Sequence, residues 1–172
     1  RDLTLYKVGM IEENIERTGL LNIEAVCQDA LVYDEESREK ADIVIADLPC
    51  SGLGVLGKKT DLKYKATKQG ADDLAQMQRE MLDVVCRYVK PGGKLLYSTC
   101  TVNPAENEEN VRWFLETHPE FELADLRECM KQWKPEVCEE LVRAVSEAGW
   151  LQLLPGIHKS DGFFIAGLRK RK

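Results

Sequence analysis

The sequence predicts an α/β protein built on a doubly wound, mostly parallel sheet, and three observations carry that prediction. Two apolar runs, DIVIAD (42–47) and KLLYSTC (94–100), show almost no polar alternation, as strands of a buried parallel sheet do. Around them lie stretches with apolar residues at helical spacing, so strands alternate with helices. The chain closes with WLQLLPGIHKSDGFFIAGLRK (150–170), which reads as two strands joined by a polar loop, an antiparallel hairpin finishing the sheet.

Each element has its own signal. LYKVGMIEENIERTGL carries Leu5, Val8, Ile11 and Ile15 on one helical face and stops at Gly19, a residue suited to a helix C-terminus. NIEAVCQDA reads as a short strand ending at Asp29, and YDEESREKA as a solvated loop before DIVIAD. A long loop runs from Leu48 to about Gly70. From Asp72 to Val89, Leu74, Met77, Met81, Leu82, Val85 and Val89 mark a helix face, which KPGG ends. NPAENEENVRWFLETHP opens with Asn103 as N-cap, Pro104 at the first helical position and Glu106 placed to close a capping box; Pro119 stops it. A short strand near Phe121 to Ala124 and helical stretches at about Asp125–Trp133 and Pro135–Ala148 lead into the hairpin.

With 172 residues the chain is long enough for one domain, 1–172, that buries roughly 70% of its unfolded surface. Hydrophobic residues at 44% and charged residues at 31% place it among ordinary globular proteins and not disordered ones. No run reaches the length of a membrane span. The six cysteines form no CxxC pair and no metal-ligand spacing, so a reduced, cytoplasmic setting without a metal is expected. Cys86, Cys138 and Cys27 read as core, and Cys129 carries no signal. A net charge of −6 excludes a general polyanion binder, so any nucleic-acid contact must use local basic patches.

Chemistry gathers at two strand ends, ADLPCSGLG (46–54) and YSTCTVNP (97–104). Ligands of such sheets bind beyond the carboxyl ends of the strands, where Asp29, Asp47 and Cys100 fall. Cys100 precedes the helix that starts at Asn103, near the positive end of its dipole, a setting that favours a thiolate. Cys50 lies in a Pro-Cys-Ser-Gly turn whose glycines admit a close backbone approach. From the residues alone, a thiol-dependent enzyme and a pair of structural cysteines both stand.

DLPCSGLG followed by YSTCTVNPAENEENV resembles the paired signature of the RNA cytosine-5 methyltransferases of the Sun/Fmu ribosomal RNA group. GWLQLLPGIHKSDGFFIAGLRK is similar to that family's closing hairpin, and IEENIERTGLLNI to its helix after the second strand. The resemblance implies a Rossmann-like fold using S-adenosyl-L-methionine to methylate carbon-5 of a cytosine in RNA, by extension small-subunit ribosomal RNA. It makes Cys100 the nucleophile that adds to carbon-6, Cys50 the thiol that helps remove the carbon-5 proton, and Asp47 the acid that polarises the base. Asp2 then corresponds to the acid that holds the cofactor ribose and Asp29 to the one at the adenine, with Asp47 bordering the same cofactor. Lys58, Lys59, Lys63 and Lys65, in the loop after Cys50, become phosphate contacts for RNA.

The family's first strand and glycine-rich loop would precede Asp2. A chain beginning after that first βα unit is expected to bind the cofactor weakly and to self-associate through an exposed strand edge. The acidic run AENEEN reads as complementing a helix dipole. His118 reads as a helix-end complement and His158 as solvent-facing. An inactive RNA-binding module with the same fold is the alternative function.

Overall fold

The computed structural model describes residues 1–59, 61–62, 67–130, 139 and 141–172. The chain divides into two compact units, Arg1–Glu36 and Ser37–Lys172.

In the first unit, Thr4 caps helix α1 (Leu5–Thr18) by accepting a bond from the Lys7 N–H, and Gly19 ends it in the left-handed region at φ 67°. The Gly19 end matches the sequence signal, while the Thr4 cap was not read from the sequence. The strand expected to end at Asp29 shrinks to a single parallel bridge, Asp2 with Cys27, held by Asp2 N–H to the Val26 carbonyl (3.1 Å) and Gln28 N–H to the Asp2 carbonyl (2.9 Å). Cys27, expected in the core, is exposed.

The second unit holds a five-stranded mixed sheet: β1 (Ala41–Asp47), β2 (Val89–Thr99), β3 (Phe121–Ala124), β4 (Leu151–Leu153) and β5 (Phe163–Lys170). β1 and β2 run parallel, with Asp47 opposite Ser98 at their carboxyl ends. β5 lies antiparallel to β2 on one edge and to β3 and β4 on the other, so the closing hairpin forms as expected. The α/β class holds, but the described sheet is mixed and not mostly parallel: β1 with β2 is its one parallel pairing, and the three pairings made by β5 are antiparallel.

Helix α2 (Lys68–Val85) and helix α3 (Glu108–Thr117) cover one face of the sheet. Leu82, Val111 and Phe114 pack there against Ala46, Leu95, Tyr97, Phe164, Ala166 and Leu168. On the opposite face, helix α4 (Leu126–Met130) contributes Leu126 and Met130 to a smaller cluster with Val145 and Leu151 against Ile165. Helices on both faces make the winding double.

Expectations also change in the second unit. β1 pairs in parallel as expected but is not buried on both sides, since Ile43 and Ile45 are 62% and 68% exposed. Among the described residues of this unit it stands at the end of the strand order, and the α4 cluster reaches the sheet at β5. KPGG does not stop the preceding helix. Helix α2 ends at Val85, a 3-10 turn spans Cys86–Tyr88, and Lys90 to Gly93 form a bulge inside β2. Helix α3 starts later than expected: Pro104–Glu106 is a separate 3-10 turn and Asn107 breaks the backbone at φ −113°, ψ −101°. The break is stabilised by the buried Asn107 side chain. Its Oδ1 accepts from Thr99 Oγ1 (2.6 Å), and its Nδ2 donates to the Thr101 carbonyl and Gln152 Oε1, both at 3.0 Å.

The helical stretch expected to reach Ala148 ends earlier, with Val145 bridged to Leu151 and Gly149 N–H bonded to the Ser146 carbonyl. Cys86 is core as expected, while Cys138 lies outside the described residues. No helix among the described residues is long and apolar enough to cross a membrane.

Candidate active site

Parallel pairing of β1 with β2 delivers two loops side by side. From the Asp47–Ser98 pair, three residues on β1's side reach Cys50 and two on β2's side reach Cys100. The Cys50 and Cys100 sulfurs come to 3.1 Å, both half-buried and both free thiols. Fifty positions of sequence separation thus close into one S–H···S contact.

Gly52 makes the first loop turn, at φ 69°. Gly54 joins it to the second: its N–H donates to the Cys100 carbonyl (3.1 Å) and its carbonyl accepts from the Gly162 N–H (2.8 Å). Three loops are stitched by backbone alone, including the one that enters β5. Asp47 is exposed at the strand end, and its Oδ1 accepts from Ser98 Oγ at 2.9 Å.

Burial pushes the Cys50 thiol up to about 12, with the hydrogen bond to Cys100 as the second cause and a weaker downward pull from the Gly52 backbone. A charged sulfur there would lose water and face its neighbour. Cys50 therefore keeps its proton at neutral pH and can donate it toward the Cys100 sulfur.

Beneath the thiols lies a polar cluster that the sequence did not reveal. Glu106 is fully buried and accepts four bonds: Oε2 from Ser51 N–H (2.8 Å) and Gln78 Nε2 (3.1 Å), Oε1 from Ser51 Oγ (2.5 Å) and Asn103 Nδ2 (2.9 Å). The reciprocal capping box does not form, because the Asn103 N–H goes to Thr101 Oγ1 (3.2 Å) while Glu106 turns inward. Gln78 bridges outward, accepting on Oε1 from Tyr97 Oη (3.1 Å) and Asn110 Nδ2 (2.9 Å); Arg79 Nε caps Asn110 Oδ1 at 2.7 Å. One sequence signal existed: a glutamine between Ala75 and Leu82 on the buried face of α2 requires partners. The rest of the acidic run behaves as expected, with Glu108 and Glu109 in the first turn of α3.

Beside Cys50 opens a cleft of about 700 Å³, lined by Cys50, Ser51, Leu62, Lys68, Leu74, Asn103, Pro104 and Glu109 among others. Lys58 is exposed and pairs with Asp161 in the hairpin loop at 2.6 Å. Lys59 is exposed too, while Lys63 and Lys65 lie outside the described residues. His118 stacks on Phe114 and contacts the Phe114 carbonyl (3.2 Å) and Asp83 (3.1 Å). His158 is half-buried, contrary to expectation, since its Nδ1 accepts the Leu154 N–H within the hairpin loop (2.8 Å). Among the described residues, no cluster of three or more His, Cys, Asp or Glu side chains could hold a metal ion.

In the first unit, the Asp2–Cys27 bridge places Asp2 and Asp29 on adjacent segments, Asp29 two residues beyond the bridge. Asp2 Oδ1 accepts from Thr4 N–H (3.2 Å) and Asp29 Oδ1 from Leu31 N–H (2.9 Å). A carboxylate has about four acceptor positions, so each acid retains capacity for hydroxyl or amino donors.

Residues 2–169 match the family described as 16S rRNA methyltransferase RsmB/F. The chain belongs to this family. It is 39% identical over 171 residues to the probable ribosomal RNA small subunit methyltransferase B of Bacillus subtilis (strain 168), covering 99% of this chain and 37% of that protein. Among solved structures it is similar to PH0851 at 34% identity and TM-score 0.84, covering 98% of this chain and 36% of that one. It is also similar to NSun6 from Pyrococcus horikoshii with SFG, an S-adenosylmethionine analogue, at 27% identity and TM-score 0.73, covering 99% of this chain and 40% of the other. The chain thus spans little more than a third of the curated relative it matches. The fold is that of the Rossmann-like S-adenosylmethionine-dependent methyltransferases.

Proposed function

We propose that this chain carries the catalytic residues of a cytoplasmic enzyme that methylates carbon-5 of a cytosine in small-subunit ribosomal RNA. The observation that supports this reading best is the 3.1 Å approach of Cys50 to Cys100. Carbon-5 of cytosine is a weak nucleophile, and a thiolate added to carbon-6 turns it into an enamine-like one. Two thiols serve such a reaction better than one, because the adduct must later be broken.

S-adenosyl-L-methionine, when bound, supplies an electrophilic methyl group. Asp2 and Asp29 fit the donors such a cofactor presents, accepting from ribose hydroxyls and from the adenine amino group. Asp47, exposed at the strand end, hydrogen-bonds the ring edge of the base and polarises it. Cys100, after giving up its proton to solvent, forms a bond from sulfur to carbon-6 as the carbon-5–carbon-6 double bond opens, and the displaced electron pair makes carbon-5 the site of methylation. Cys50 then takes the carbon-5 proton; that electron pair restores the ring double bond and expels Cys100 as thiolate.

The order follows from the causes acting on Cys50. In the free site its proton is held by burial first and by the hydrogen bond to Cys100 second. Once Cys100 is a thioether its sulfur is a poorer acceptor, and the hydrogen bond that holds the Cys50 proton weakens. Cys50 then releases its proton to solvent more readily, and as thiolate it can act as the base. Lys58 and Lys59 contact phosphates beside the target, which must be unpaired or flipped out to expose its face.

The test uses the full-length protein, S-adenosyl-L-methionine and small-subunit ribosomal RNA. Cys50→Ala should accumulate a protein–RNA adduct that resists denaturant, and Cys100→Ala should abolish both adduct and methyl transfer. Methyl transfer undiminished in Cys100→Ala would remove the nucleophile from this scheme.

A further inference from the structure

We propose that Glu106 is a positioning residue that sets the spacing of the two thiols. It does so through Ser51 and Thr101, the residues that directly follow Cys50 and Cys100. Ser51 gives both its N–H and its hydroxyl to Glu106, at 2.8 and 2.5 Å. With the Ser51 proton committed to Glu106, the 2.8 Å contact between Ser51 Oγ and Thr101 Oγ1 is donated by Thr101. Thr101 Oγ1 in turn accepts the Asn103 N–H at 3.2 Å. The result is a directed chain, Asn103 to Thr101 to Ser51 to Glu106, that ties the loop after β2 to the loop after β1. The Asn103 side chain closes it as a ring by donating to Glu106 Oε1 at 2.9 Å.

The chemistry of this position requires a carboxylate. Both Glu106 oxygens face two donors each, and a glutamine would place its amide N–H₂ against one of those pairs. Whichever way the amide turned, either Ser51 N–H with Gln78 or Ser51 Oγ with Asn103 would lose its acceptor. Glu106 is fully buried, so water does not replace what is lost. It touches neither sulfur directly. Its effect on the chemistry passes through the loops it holds.

The proposal rests on the two-thiol reading for its importance to catalysis, and its test does not. In the 172-residue chain, diamide, a thiol oxidant, should join Cys50 to Cys100, taking one electron and one proton from each thiol. The rate is read by mass spectrometry of the linked peptides. In Glu106→Gln it should fall about 10-fold, since displacement by an ångström or so is enough to cost such factors. Ser51→Ala, which keeps the backbone bond and loses the hydroxyl link, should fall by less. Labelling of Cys86, buried at 3% exposure in the core, reports general opening of the fold and should stay at the wild-type level.

A purely structural role would raise Cys86 labelling together with any change at the thiol pair, and would overturn the proposal. So would a linking rate in Glu106→Gln within twofold of wild type. If Glu106→Gln does not fold, Ser51→Ala decides by the same two readouts. Slowed linking in this chain, beside undiminished methyl transfer by full-length Cys100→Ala, would sink the proposed reaction and leave the positioning role standing.

Discussion

Gly54 is where one added methyl group should disturb the site most. A Cβ at that position would lie 2.7 Å from the Gly162 carbonyl carbon and 2.8 Å from the Cys100 carbonyl oxygen. All the obstructing atoms are backbone, so no side chain can turn away. The same residue makes the bonds to Cys100 and Gly162 that join three loops. Gly54→Ala must therefore break at least one of them and leave a buried polar group unpaired, at a cost of about 1–3 kcal/mol on top of the strain of overpacking. With about 3 kcal/mol as the central expectation, the melting temperature of a chain this size falls by roughly 6–12 °C. Gly57→Ala is the control, because a Cβ there meets nothing within 4 Å. Thermal melts followed by circular dichroism compare the two. A Gly54→Ala melt within a degree of wild type would refute the close approach on which the loop stitching depends.

Further outcomes are expected elsewhere. Burial pushes the Cys86 thiol up to about 12, with repulsion from Glu120 and Asp83 adding to it. Because an unfolded thiol titrates near 8.5, the folded chain binds the extra proton above that pH, and this contribution to stability is lost as pH rises toward 12. The slope is at most about 1.4 kcal/mol per pH unit. Urea midpoints from pH 8 to 10 should fall less steeply in Cys86→Ala than in wild type, and equal slopes would contradict the burial argument. Asn107→Ala should destabilise by about 2–4 kcal/mol in the same urea assay, since it strands Thr99, Thr101 and Gln152 below the site; a change under half a kcal/mol would be the wrong result. Lys58→Ala in the full-length protein should weaken RNA binding and reduce its log–log salt slope by about 0.7–0.9, with an unchanged slope arguing against a phosphate contact.

Legibility in the sequence followed the range of the interactions. β3 was readable, because Phe121–Ala124 sits between the His-Pro stop of α3 and the next helix. Helix α1 was readable for the same reason, its apolar face and its Gly19 terminator being local. The bulge at KPGG was not: Pro-Gly-Gly is a turn signal in isolation, and only the ladder to β1 draws it into β2. Glu106 was hidden differently. Its position after Asn103 matches a capping box, and the partners that turn it inward, Ser51 and Gln78, lie 55 and 28 residues away. The two cysteines were legible as residues, through the turn chemistry around them, but their 3.1 Å contact depends on tertiary register.

That register is the deeper reason the site forms. In a parallel pair, a slip of two residues keeps every side chain on its own face but moves one strand by about 6.6 Å. The thiols would then be far out of contact while the core remained apolar. Hydrophobic pattern alone therefore does not select the productive pairing. The bulge absorbs length at the far end of the strands, where two residues of β1 from Ala41 to Ile43 span five of β2 from Val89 to Lys94. Gly93 makes this possible, since a Cβ there would meet the Asp42 and Lys90 carbonyls, both at 2.9 Å. From Ile43 and Lys94 onward the ladder is regular to Asp47 and Ser98, and the Ser98–Asp47 hydrogen bond fixes its last rung. Irregularity is confined to the end away from the chemistry, so the sheet reaches the thiols in a register that side-chain hydrogen bonds, and not burial, have chosen.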